Sequence, residues 1–175
     1  AVMQALLSFG HAPPLSAPMR FFLSAPLFGI FAGMLLLSSG PESLASRWTP
    51  STLALTHLLT AGFMLQIMLG AMVQILPVVA GANIRRPLLM ARLVHASAGA
   101  GALTLVAGFL SLSPFAYSAS VLLLGGGVTL FVTAAGHALY RVPTTNPTIR
   151  GLKLALFGLS VTTVLGVLLA TARAG

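Results

Sequence analysis

Cysteine is absent from the 175 residues, Glu42 is the only acid, and charged side chains of either sign make up just 6%. Without cysteine there are no disulfides, no thiolate metal sites and no thiol nucleophile. With a single carboxylate, and none inside an apolar run, a carboxylate proton relay is excluded. No serine stands in a recognisable nucleophile context, and neither a Gly-rich phosphate loop nor a metalloprotease spacing occurs. Soluble domains carry about a quarter charged residues. At 57% hydrophobic residues and a mean hydropathy of +1.02, the chain reads instead as an integral membrane protein.

The formal charge of +8 comes from nine basic residues against one acid. These basic residues flank apolar runs, as basic loops on one side of a bilayer do, so no nucleic-acid partner is expected. The first residues lack the basic, apolar, then small layout of a cleaved signal peptide. Opening on Ala rather than Met, the sequence is expected to lack at least its first residue.

About 20 apolar residues cross roughly 30 Å of hydrocarbon as a helix. Five stretches meet that requirement, at about 19–39, 51–80, 88–111, 115–140 and 149–172. Gly40-Pro41, Thr49-Pro50, Gly81 to Pro87, Ser113-Pro114 and Arg141 to Pro147 punctuate them. The expected fold is an all-α integral membrane bundle of about five transmembrane helices, preceded by an irregular interfacial segment over residues 1–18. Five spans put Arg20, Arg85, Arg86, Arg92, Arg141, Arg150 and Lys153 at one face, and Arg47, Arg173 and Glu42 at the other. The positive-inside rule then predicts a multi-pass protein of a bacterial-type inner membrane, N-terminus cytoplasmic and C-terminus outside.

Glycines recur through the spans, at Gly62, Gly70, Gly99, Gly101, Gly125 to Gly127 and Gly136. Close helix packing explains them, and room for a flat cofactor is the sharper reading. The triple glycine also marks a local weak point in its helix.

Of four histidines, His11 lies in the lead-in and reads as an interfacial side chain, whereas His57, His95 and His137 lie within spans. Ionisable residues in a membrane usually face a partner, a cavity or a cofactor. A backbone carbonyl, or a hydroxyl such as that of Thr56, Thr60 or Thr133, would satisfy any one of them; three together point toward metal ligation. By helix rise, His95 and His137 fall at similar depth and His57 roughly 15–25 Å away. Two axial imidazoles on one haem need one level, so His95 and His137 form the candidate pair. Arg92 precedes His95 by three residues and Arg141 follows His137 by four, placing a guanidinium near each for haem propionates. Gly99, one turn deeper than His95, would leave space for the porphyrin. His57 then needs its own site, completed by the same residue of a second protomer, by Met34 or Met64, or left open. Its helix face continues through Ala61, Met64 and Met68.

The stretch THLLTAGFMLQIMLGAMVQILPVVAG, with His57, Gly62-Phe63, Gly70 and Pro77, resembles the haem-ligand helix of the haem-copper oxidase and nitric-oxide reductase superfamily. The stretch APMRFFLSAPLFGIFAGMLLL is similar to the first span of NnrS-type haem- and copper-containing proteins of nitric-oxide stress. The likeness covers roughly residues 17–81 and implies that His57 is an axial haem ligand near the outer face. Those large oxidase subunits also carry a His-His pair and a His-x-x-x-Tyr or Glu constellation for a second metal. Neither that His-His pair nor an acid within a span is present here.

The functional expectation is a small b-type cytochrome-like protein, with haem b held by histidines. It would transfer electrons, with a redox partner or quinol, or bind a diatomic gas, and a homodimer would complete the His57 site. The alternatives are a copper or small-solute transport protein, supported by the methionines and by Gln66–Gly70–Gln74, and a structural subunit of a respiratory complex.

Overall fold

The computed structural model describes residues 12–144 and 146–175. His11 and the greater part of the expected interfacial segment lie outside the described residues. Five helices long and apolar enough to cross a membrane follow one another: α1 (Ser16–Ser39), α2 (Pro50–Ala80), α3 (Pro87–Ser111), α4 (Pro114–Tyr140) and α5 (Pro147–Ala174). No strand occurs among the described residues, so the protein is an all-α, multi-pass membrane bundle. The largest departure from the expected limits is at α1, which begins at Ser16 rather than residue 19.

Proline and a capping oxygen set most of the helix starts. Thr49, Ser113 and Asn146 each precede a proline at the first helical turn and accept a hydrogen bond from a backbone N–H of that turn. Proline costs nothing there, because its missing N–H would be unpaired anyway, and the side-chain oxygen satisfies a neighbouring orphan donor. At the other ends, Gly40 and Gly81 take φ values of +66° and +62°, which glycine adopts without steric cost. Only Leu112 and Ser113 link α3 to α4, and this reversal forces Leu112 to φ +51°.

Lipid tails are as apolar as leucine, so close van der Waals packing must hold the helices together. On α1, Phe21 and Phe28 point at α2, and two glycines receive them. A Cβ on Gly62 would stand 2.6 Å from Cγ of Phe28, and one on Gly70 would stand 2.9 Å from Cβ of Phe21. Between α3 and α4 the backbones themselves approach. A Cβ on Gly101 would lie 2.6 Å from Cα of Leu124, and one on Gly127 would lie 3.0 Å from Cβ of Ser97. Most of these glycines thus follow the packing reading of the sequence.

Two helices are not regular throughout. Leu58–Met64 in α2 and Val121–Gly125 in α4 are wound as π turns. The second ends at the first residue of the triple glycine. Short π segments accommodate an extra residue and are frequent at functional sites. Helix α5 stands apart: it packs along α4, and only Ile149 and Leu156 of its residues are buried.

If backbone approach at Gly101 holds α3 on α4, Gly101→Ala should lower stability by about 1–3 kcal/mol, because Leu124 offers backbone rather than a movable side-chain tip. Gly126 meets nothing within 4 Å; Gly126→Ala should be neutral or stabilising by up to about 1 kcal/mol. Thermal unfolding of the detergent-solubilised protein distinguishes the two, and equal losses would contradict this packing.

Candidate functional site

His57 is the last α-helical residue of α2 before the π turn. Its Nδ1 lies 2.7 Å from the carbonyl oxygen of Leu53, one turn earlier. A carbonyl can only accept, so Nδ1 must carry the proton. In the neutral imidazole this leaves Nε2 with a bare lone pair, and no residue among those described hydrogen-bonds to it. The ring is held on its face as well. Phe109 of α3 lies against it, with centroids 4.8 Å apart and planes tilted by 36°. The edge of Phe109 in turn meets Tyr117 of α4 at 5.6 Å. Neighbouring threonines do not serve His57; Thr56 and Thr60 bond carbonyls of their own helix.

His57 lines a cleft of about 700 Å³ between α2, α4 and α5, closed at the back by Leu105 and Phe109 of α3. Small-molecule sites span roughly 300–1,000 Å³. The α2 wall carries His57, Ala61, Met64 and Met68, the face that the sequence singled out. Both π turns contribute to the lining, through Thr60, Ala61 and Met64 on one side and Val121, Leu124 and Gly125 on the other. The α5 wall includes a stripe of small residues, Ala155, Gly158, Thr162, Gly166 and Ala170, beside Leu159, Val167 and Leu169. A Cβ on Gly158 or Gly166 would meet nothing within 4 Å. These glycines therefore leave the cleft its width instead of admitting a neighbour.

Polar groups gather at one end of the cleft. Trp48, just before α2, Tyr117 in the first turn of α4, and Arg173 near the end of α5 all line it there. Arg47 sits over the Trp48 ring, its guanidinium carbon 5.1 Å from the centroid. Among the described residues Arg173 is the only cationic side chain in the lining. None of Trp48, Tyr117 and Arg173 was picked out as a site residue from the sequence. The spacing from Ala155 through Gly158, Thr162, Gly166 and Ala170 to Arg173, one face of a helix, was the available signal.

The other two intramembrane histidines are used differently. His95 faces α1: Ser24 Oγ–H donates to the Phe21 carbonyl at 3.2 Å. The same hydroxyl oxygen lies 2.9 Å from His95 Nε2, within hydrogen-bond distance. The His95 ring also stands edge-on to Phe21, with centroids 5.2 Å apart. His137 is exposed on α4. The antiparallel register, with Ser97 against Gly127 and Gly101 against Leu124, sets the two histidines about seven residues, or roughly 10 Å, apart along the helices. The expectation of similar depth counted residues from span ends, which ignores how neighbouring helices slide. The geometry therefore does not bring His95 and His137 to one level.

Arg92 and Arg141 are exposed. Gly99 opens toward the side chain of Gln66, whose Nε2 would lie 3.5 Å from an added Cβ. The amide thus occupies the space that a porphyrin was expected to need. Met34 is exposed on α1 and does not line the cleft. Among the described residues no group of three or more His, Cys, Asp or Glu side chains converges on a common point.

Comparison with known protein families, with curated proteins and with solved structures finds no match.

The tautomer of His57 is directly measurable. In the nitrogen NMR spectrum of protein labelled at histidine, the neutral ring of His57 should appear protonated at Nδ1 and unprotonated at Nε2, with the assignment checked by loss of the signals in His57→Ala. A ring protonated at Nε2 alone would contradict the bond to Leu53, which needs the Nδ1 proton.

Proposed function

We propose that the protein is a small haem-binding membrane protein of the b-cytochrome kind, with one haem in the cleft and His57 as its axial ligand. The observation that carries this reading is the 2.7 Å contact of His57 Nδ1 with the Leu53 carbonyl. The Leu53 carbonyl accepts the Nδ1–H, so Nε2 of the neutral ring is available as an electron-pair donor in an apolar space large enough for a flat cofactor. A ligating imidazole almost always donates its other N–H to a carbonyl, a carboxylate or water, which fixes the ring and raises its basicity. The resemblance of the stretch around His57 to the haem-ligand helix of the haem-copper oxidase superfamily implies the same role for this histidine.

Haem, when bound, supplies one-electron chemistry and an iron centre open to small ligands. The chain's own residues position and insulate it. Leu53 and Phe109 fix the imidazole. Met64, Met68 and Leu124 line the space with apolar and polarisable surface that excludes water. No second histidine lines the cleft among the described residues. This favours binding of a diatomic gas over bis-histidine electron transfer, and a second protomer's His57 is then not needed to complete the site. From the basic residues collected at one end of the bundle, we place the protein in an inner membrane with the N-terminal end of α1 cytoplasmic. The mouth of the cleft, marked by Trp48 and Arg173, then faces the outer side.

One further reading has its own support. Met64 and Met68 share the cleft wall with His57, and thioethers with an imidazole suit a cuprous ion. Elemental analysis of the purified protein separates the two: iron with a Soret band supports haem, and stoichiometric copper without one supports copper handling.

The haem reading predicts that His57→Ala reduces haem affinity by at least about tenfold, as loss of a metal ligand should when outer partners alone are worth 10–100-fold. His95→Ala and His137→Ala should retain the Soret band. Gly166→Phe, which fills the cleft without a clash in the core, should also abolish binding while leaving the helical content and unfolding temperature close to wild type. Retention of the band in His57→Ala would overturn the assignment.

A further inference from the structure

Within the cleft described above, one polar atom has no function in the fold. Tyr117 is 2% exposed, and its hydroxyl is buried with no hydrogen-bond partner among the described residues. Its ring is fixed, lying 3.0 Å from where a Cβ on Gly108 would be and edge-on to Phe109. A buried phenol without a partner costs free energy comparable to a lost hydrogen bond. Inside a bilayer there is little bulk water to relieve that cost. Such a group calls for an acceptor from outside the chain, either ordered water or a bound ligand.

The surroundings indicate what that acceptor is. Tyr117 lines the cleft at the same end as Trp48 and Arg173, the only cation in the lining among the described residues. A hydroxyl and a guanidinium are both donors, and among the described residues no carboxylate lines the cleft to meet them. The remaining lining is dominated by apolar and small side chains. A ligand complementary to this space has a broad apolar body and an anionic edge directed at the outer mouth.

We propose that the outer end of the cleft is a carboxylate-binding site, in which the Arg173 guanidinium and the Tyr117 hydroxyl take the acid edge of an amphipathic, ring-shaped ligand. This deepens the haem reading, since it assigns the direction in which the cofactor sits, with its acid groups outward and its apolar edge inward. It differs from the sequence expectation that Arg92 and Arg141, at the opposite end of the bundle, hold such groups. It does not depend on iron, because neither donor is a metal ligand.

The test uses metal-free protoporphyrin, a flat diacid needing no axial ligand, titrated into the solubilised full chain by fluorescence beside its dimethyl ester. The wild type should bind the diacid at least about tenfold more tightly than the ester, as a charge-assisted contact is worth. Arg173→Leu and Tyr117→Phe should each reduce that preference to within about threefold, while affinity for the ester stays near wild type. His57→Ala should change both affinities alike and leave their ratio intact. Without ligand, Tyr117→Phe should unfold at the same temperature as wild type or a higher one, because it removes an unpaired hydroxyl. A wild type that takes neither porphyrin, or does not distinguish diacid from ester, overturns the proposal, as does a preference that survives both substitutions. Failure of the haem reading looks different: the diacid preference persists, and the iron porphyrin gains nothing from His57.

Discussion

Inside a bilayer the hydrophobic effect gives one helix no preference for another over lipid, so contact must come from backbones that approach closely. Here that approach is made at glycine. Gly101 and Gly127 bring α3 and α4 together, and Gly62 and Gly70 receive Phe28 and Phe21 of α1. Fixing α4 against α3 determines which side of α4 is left over, and α5 attaches to that side. Because α5 meets α4 and stands away from α2, a cleft remains with His57 on one wall. The glycines of α5 then take the opposite part, since Gly158 and Gly166 touch nothing. The same residue type closes one interface and holds another open, and only the three-dimensional arrangement tells the two uses apart.

The spans were legible because hydrophobic length and proline-marked starts are local properties. Thr49-Pro50, Ser113-Pro114 and Asn146-Pro147 each cap a helix where the sequence placed a boundary. His57 was legible as an imidazole in an apolar run, and the carbonyl that satisfies it lies one turn away on its own helix. What could not be read was anything set by relative sliding of helices. The level of His95 against His137 depends on the register of α3 against α4, and residue counts from span ends miss it. The π turns at Leu58–Met64 and Val121–Gly125 carry no distinctive composition. The gathering of Trp48, Tyr117 and Arg173 joins residues from three separated segments.

The half of the bundle away from the cleft carries polarity of another kind. Gln66 is fully buried, and both of its amide atoms lack a partner among the described residues, as does Oε1 of Gln74. His95 and Ser24 nearby are satisfied by one another. Buried amides are costly in a low-dielectric interior and usually mark ordered water. The structure thus separates a fixed histidine, which ties α1 to α3, from one whose second nitrogen is left free.

The attachment of α5 also bears on how firmly each side of the cleft is set. Three of its walls, α2, α3 and α4, belong to helices that pack on one another, whereas α5 is held chiefly by α4. Only Ile149 and Leu156 of that helix are buried. The width of the cleft is therefore governed by a single helix pair, and the rest of its boundary by a mutually packed set.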